Sequence, residues 1–117
     1  MRLFVLGILI GAAMLPSHEA RSAPEPSPFP PEGTVHAYFT FMPRPPYPKA
    51  ARAARQQGKG WFELTIDFST GRVQQVKVLK SAGATLLDDG VVATFLQWRA
   101  KPRLIHHAVI PVEFRVY

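Results

Sequence analysis

The chain has 117 residues, enough for one small folded domain, and it carries a formal net charge of +6 at pH 7. It contains no cysteine, so disulfide bonds, thiolate metal sites and a cysteine nucleophile are excluded. The positive charge is scattered along the chain without a long basic run. We therefore predict that the protein does not bind nucleic acid.

Residues 1–23 have the pattern of an export signal. Arg2 precedes an unbroken apolar run of thirteen residues, 3–15, and Pro16 then ends this run. As a helix the run would rise about 20 Å, which is less than the hydrocarbon core of about 30 Å. We interpret residues 1–23 as a signal peptide, with a short anchor in the inner membrane as the alternative. In both cases we expect the rest of the chain in a bacterial periplasm.

The composition changes at residue 24, where a proline-rich stretch begins that extends to residue 46. Proline fixes φ and removes a backbone donor, so such a stretch favours an extended, polyproline-like conformation. We predict that residues 24–46 form a proline-rich linker. The aromatic-rich residues 35–41 within it are expected to be partly ordered, with an added edge strand as the alternative.

Residues 47–117 are predicted to form the folded domain, which begins with a helix and a β-hairpin. The helix begins at Pro48, because proline is tolerated at the first helical position, and Gly58 is suited to end it. An alternating strand follows, and a tight turn at Gly71 leads to a return strand with a β-bulge near residues 74–75. The buried face of the first strand is expected to consist of Phe62, Leu64, Ile66 and Phe68.

A second helix and a last strand complete the predicted domain. Thr85 is expected to cap this helix, and Asp88 and Asp89 lie in its first turn, where the helix dipole favours negative charge. The apolar stripe of the helix consists of Leu87, Val91, Phe95 and Trp98. Pro111 indicates that the last strand lies at an open sheet edge, because proline cannot donate a hydrogen bond to a neighbouring strand. We predict an α+β fold with two helices packed on one face of a small three-stranded antiparallel sheet.

The sequence offers no catalytic constellation, so we predict a binding module that is not an enzyme. His106 and His107 are adjacent and have no third ligand nearby, which argues against a metal site. We therefore predict no catalytic residue, no metal and no cofactor. A periplasmic enzyme that depends on Arg99 or His106 is the alternative. An open edge strand, by contrast, can bind an extended peptide directly through its backbone.

Several short motifs follow one another in order along residues 43–117. They are Tyr47-Pro48 with Ala51-Arg52, Gly71-Arg72-Val73 with Val76-Lys77-Val78, Ser81-Ala82-Gly83 with Leu87-Asp88, Trp98-Arg99 with Pro102, and Ile110-Pro111-Val112-Glu113-Phe114. In this order and spacing they resemble the C-terminal domain of the TonB family of periplasmic energy transducers. The resemblance implies a role in energy-dependent transport across the outer membrane, powered by proton-driven motor proteins of the inner membrane.

The resemblance also implies where a partner binds. In the family, the last strand and the segment just before the Tyr-Pro motif contact a short extended box of a TonB-dependent outer-membrane receptor. The partner-binding residues expected on this basis are Arg44, Pro45, Pro46, Tyr47, Val109, Ile110, Pro111, Val112, Glu113, Phe114 and Arg115. The alternative function is a secreted stand-alone module that contacts another periplasmic protein without transducing force. Edge strands can also pair two copies of a domain, so a homodimer is a further alternative.

Overall fold

A computed structural model of the protein describes residues 25–116, and the predicted signal peptide or anchor at residues 1–23 lies outside this part. The elements in chain order are a 3-10 helix at Val35–Ala37, β1 at Phe39–Phe41, α1 at Lys49–Ala53, β2 at Gly58–Ile66, β3 at Val73–Lys80, α2 at Thr85–Phe95, β4 at Arg99–Ala100 and β5 at His107–Phe114. Within residues 25–116, neither α-helix has the length and apolar character that a membrane crossing requires.

The central sheet is antiparallel and has β2 in the middle, with β3 on one side and β5 on the other. The predicted α+β fold, with two helices and the last strand at a sheet edge, is confirmed. Phe62 and Leu64 of β2 are completely buried, because their side chains face α2. The rings of Phe62 and Phe95 meet edge to face with centroids 5.8 Å apart, a geometry that adds about 0.5–1.5 kcal/mol to the burial of their area.

The prediction that Phe68 shares this buried face is wrong. β2 ends at Ile66, and Phe68 lies in the turn that follows, where 38% of it is exposed. The turn begins at Asp67, whose carbonyl accepts a hydrogen bond of 2.7 Å from the N–H of Gly71. The alternation of inward and outward side chains therefore stops before Phe68, and its ring stacks on the imidazole of His106 instead.

The predicted bulge in the β2–β3 hairpin is confirmed. Gln74 has no counterpart on β2, because its neighbours Val73 and Gln75 face consecutive residues of that strand. A second bulge, which the sequence did not predict, lies at Leu79. Both bulges lie in an edge strand, where the local bend limits pairing with another chain.

The first helix is shorter than predicted. Its N-cap is Pro48 and it ends at Ala53, whereas Gly58, the expected helix stop, is the first residue of β2. A Cβ atom at Gly58 would overlap the backbone of Ala82. This glycine is therefore needed for the close approach of two chain segments and not for ending the helix.

The predicted cap of the second helix is also wrong. The N-cap of α2 is Ala84, and its side chain makes no capping hydrogen bond, so Thr85 is already inside the helix. The carboxylate of Asp88 reaches back to the preceding connection instead. It accepts hydrogen bonds from the hydroxyl of Ser81 at 2.6 Å and from the N–H of Ala82 at 2.7 Å. These bonds join the β3–α2 connection to the first turn of the helix.

A second, two-stranded antiparallel sheet connects residues 39–41 to the domain. β1 pairs with β4, and Phe39 of β1 is only 4% exposed. The ring of Phe39 meets that of Trp98 edge to face, with centroids 5.1 Å apart. The N–H of Lys101 donates a hydrogen bond of 2.8 Å to the carbonyl of Tyr38. Part of the proline-rich stretch thus contributes an aromatic side chain to the core.

Candidate partner-binding groove

A groove of about 690 Å³ runs between the exposed edge of β5 and residues 44–47. Its lining consists of Arg44, Pro45, Tyr47, Arg52, Phe95, Trp98, Ile110, Pro111, Val112, Glu113, Phe114 and Arg115. The structure therefore brings nine of the eleven predicted partner-binding residues together in one place. Pro46 and Val109 do not line the groove, and sequence reasoning missed Arg52, Phe95 and Trp98.

Two side chains hold residues 43–47 beside the sheet. The indole N–H of Trp98 donates a hydrogen bond of 2.9 Å to the carbonyl of Pro43. The hydroxyl of Tyr47 donates a hydrogen bond to the carbonyl of Gln56, and its ring meets Phe114 edge to face at 5.1 Å. The prolines of this segment restrict the backbone as well, so one wall of the groove is both stiff and anchored at each end.

Trp98 does not belong to the predicted apolar stripe of α2, because this helix ends at Phe95. It lies in the following turn, where it is 7% exposed and its ring meets Phe95 edge to face at 4.7 Å. One face of the indole therefore belongs to the core, and its N–H reaches the carbonyl that fixes the groove wall.

The outer edge of β5 is occupied at one end. The N–H and the carbonyl of Val109 both form hydrogen bonds with Phe29, at 2.6 and 3.0 Å, and Phe29 lies outside the three-stranded sheet. The expected open edge is therefore covered at Val109. The sequence did not indicate this contact, because Phe29 lies in the proline-rich stretch 80 positions before its partner.

The remainder of the β5 edge points its backbone groups toward the groove. In an antiparallel sheet, successive residues of a strand direct their N–H and carbonyl groups to opposite sides. Since Val109 bonds outward, the carbonyl of Pro111 and both backbone groups of Glu113 also point outward. The missing N–H of Pro111 thus falls on the outer side, where a proline costs no hydrogen bond within the sheet. We call residues 111–114 the docking edge.

The charges around the groove are mainly positive. Arg44, Arg52 and Arg115 line it together with one acidic residue, Glu113. The guanidinium of Arg52 lies 4.6 Å from the centre of the Tyr47 ring, a cation–π contact, and Nε of Arg115 donates a hydrogen bond of 2.9 Å to the carboxylate of Glu113. The groove therefore suits an acidic segment, through exposed charges that salt will screen.

The two histidines that raised the question of a metal site or an enzyme have separate aromatic partners. His106 stacks on Phe68, and His107 stacks on Phe29 with centroids 4.9 Å apart. Within residues 25–116, no three His, Cys, Asp or Glu side chains lie close enough together to hold a metal ion. Arg99, the other residue of the enzyme alternative, lies on β4 opposite Phe41, away from the groove.

Comparison with known proteins agrees with the fold. The family model described as "Gram-negative bacterial TonB protein C-terminal" matches residues 43–116. Protein TonB of Vibrio cholerae serotype O1 is 27% identical over 79 residues, which cover 62% of this chain and 32% of that protein, about a third of its length. The solution NMR structure of the Pseudomonas aeruginosa TonB CTD matches with a TM-score of 0.53 and 26% identity, over 68% of this chain and 83% of that one.

Proposed function

Because this chain belongs to the family of Gram-negative bacterial TonB protein C-terminal domains, we propose that it binds an extended segment of an outer-membrane receptor at the docking edge. The observation that carries the proposal is the set of outward backbone groups on Pro111 and Glu113, which face a groove closed on its far side by residues 44–47. A strand placed in this groove would extend the three-stranded sheet by one strand.

Two features of the groove favour an extended peptide over a compact ligand. The docking edge presents carbonyl and N–H groups at the regular spacing of a β-strand, which only another extended backbone can match along its length. The wall that faces the edge is made of Arg44, Pro45 and Tyr47. Pro45 and the Tyr47 ring offer apolar contact, and Pro45 has no competing backbone donor. The arginines at its rim favour acidic residues in the bound segment.

The proposed role of the whole protein is to support energy-dependent transport across the outer membrane from a position in the periplasm. In this role the domain transmits force that motor proteins of the inner membrane generate from the proton gradient. The domain itself needs no covalent chemistry for this, because the bound receptor segment is held by hydrogen bonds and packing alone. The stiff segment before Tyr47 is suited to such a task, because it keeps its shape under load.

The experiment that tests the proposal measures the affinity of the chain for a synthetic peptide that carries the box segment of an outer-membrane receptor of its host. Glu113→Pro removes the outward N–H of the docking edge, and we expect about tenfold weaker binding from the lost hydrogen bond. Glu113→Gln removes only the charge and is expected to bind within about twofold of the unchanged chain.

The matched control is Val78→Pro on the opposite sheet edge. By the same alternation the N–H of Val78 points outward from β3, so this substitution removes an equivalent donor without touching the groove. We expect its peptide affinity to equal that of the unchanged chain. Equal weakening by both proline substitutions, or no binding of the peptide to the unchanged chain, would contradict the proposed function.

A further inference from the structure

Residues 25–30, which we call the strap, cross the face of the sheet opposite the helices. At one end Glu25 forms an ion pair of 3.7 Å with Lys80 of β3, and at the other end Phe29 pairs with Val109 of β5. Trp61 of β2 lies between these two contacts, since it is in register with Lys80 on one side and with Pro111 on the other. The strap therefore runs from one sheet edge to the other.

The strap is held by more than its two hydrogen bonds. Pro30 is fully buried, and the ring of Phe29 stacks on His107. Trp61, which points away from the helices, is only 4% exposed, and the ammonium of Lys59 lies 5.2 Å from the centre of its ring. Lifting the strap would expose the apolar surface of Pro30, and this opposes its release.

From this geometry we infer that Phe29 determines how long a partner segment the docking edge accepts. The inference rests on the proposed function. The strap occupies the only outward donor and acceptor of β5 between His107 and Pro111, so a partner strand can pair with residues 111–114 and no further. The partner that fits is an acidic extended segment of about four paired residues, since strand residues are spaced by about 3.3 Å on both chains.

A longer partner would have to displace the strap, and it would gain fewer contacts than the strap would lose. At Val109 it would replace two hydrogen bonds by two of the same kind, and it would lose the stacking of Phe29 on His107 and the burial of Pro30. The strap is also tethered to the same chain, which gives it an effective concentration in the millimolar range. A free segment at lower concentration therefore does not compete for Val109.

The test uses the full chain and two synthetic peptides of Glu, Thr and Val, one of five residues and one of nine that extends it by two residues at each end. For the unchanged chain we expect the two affinities to agree within about threefold, because the added residues find Val109 occupied. Phe29→Pro removes the N–H and the ring that hold the strap, and we then expect the longer peptide to bind about tenfold tighter than the shorter one. The control His36→Ala, at an exposed position outside the strap, is expected to behave like the unchanged chain.

Amide hydrogen exchange gives a second, independent readout. The inference predicts slow exchange at Phe29 and Val109 in the free chain, unchanged when the nine-residue peptide binds. Fast exchange at both amides in the free chain would overturn it, and so would loss of protection at Phe29 on binding, or a tenfold preference of the unchanged chain for the longer peptide. If neither peptide binds any of the chains, the acidic four-residue partner inferred here is overturned, while the receptor box peptide tests the proposed function separately and the exchange rates of the free chain decide whether the strap exists.

Discussion

Trp98 should link the stability of the domain to the shape of the groove. Trp98→Phe keeps an aromatic ring against Phe39 and Phe95 but removes the N–H that donates to the carbonyl of Pro43. A hydrogen bond contributes about 0.5–1.5 kcal/mol net. The phenyl ring has three ring atoms fewer than the indole, and the small void that this leaves costs about 1 kcal/mol more. The two contributions add up to an expected loss of about 2 kcal/mol in the free energy of unfolding.

Trp61→Phe provides the matched comparison for this prediction. Trp61 is 4% exposed, and among residues 25–116 its indole N–H is a buried donor with no hydrogen-bond partner. The same substitution there removes a similar volume but no hydrogen bond, so we expect it to cost about 1 kcal/mol less than Trp98→Phe. Urea denaturation followed by circular dichroism measures both losses under the same conditions.

The two variants should also differ in peptide binding. Trp98→Phe releases one of the two anchors of residues 43–47, and we expect the affinity for a receptor box peptide to fall about three- to tenfold, because the released wall must be ordered again on binding. Trp61→Phe leaves both anchors in place and should leave the affinity unchanged. Equal losses of stability in the two variants, together with unchanged peptide affinity of Trp98→Phe, would refute the role assigned to the Trp98–Pro43 hydrogen bond.

Three further predictions concern the core, the connections and the groove charges. Phe62→Ala should lower the free energy of unfolding by about 3–5 kcal/mol, measured by urea denaturation, because Phe62 is completely buried; a loss below about 1 kcal/mol would contradict its place in the core. Asp88→Ala should cost about 1–3 kcal/mol in the same assay, since it leaves the N–H of Ala82 unpaired, and Asp88→Asn should recover part of this. The affinity for an acidic peptide, measured by calorimetry, should fall as salt is raised from low to physiological concentration, because the groove arginines lie near solvent; a salt-independent affinity would argue against their role.

The features that follow from local periodicity could be predicted from the sequence. The alternation in β2, the bulge at Gln74 and the edge position of β5 each depend on residues that are neighbours in the chain. Proline at position 111 indicated the edge for a reason of backbone chemistry, and the structure places its missing N–H on the outer side. Such features need no knowledge of distant contacts.

Features that depend on contacts between distant segments could not be predicted in this way. The pairing of Phe29 with Val109 and the packing of Phe39 against Trp98 join residues far apart in the chain, and proline-rich composition pointed to a linker instead. The same holds for Gly58, which looked like a helix stop because it follows an alanine-rich stretch. Its actual constraint, the nearby backbone of Ala82, lies on the other side of the hairpin.

The groove was predicted in part. The resemblance to a family indicated β5 and residues 44–47, and the structure brings most of these residues together. Arg52, Phe95 and Trp98 were missed as lining residues, because a stripe of apolar residues predicts which side of a helix is buried but not which part of it remains open to a cleft. For Arg52 the sequence did contain an indication, because this residue lies about one helical turn after Tyr47 and its side chain can therefore reach the Tyr47 ring.

The most direct test of the docking edge is the exchange rate of individual amide protons in the free chain and in its complex with a receptor box peptide. The N–H of Glu113 points outward, so we expect its exchange to slow on binding, whereas the outward N–H of Val78 on the opposite edge should keep its free rate. Unchanged exchange at Glu113 in a saturated complex, or new protection at Val78, would contradict binding by strand addition to β5.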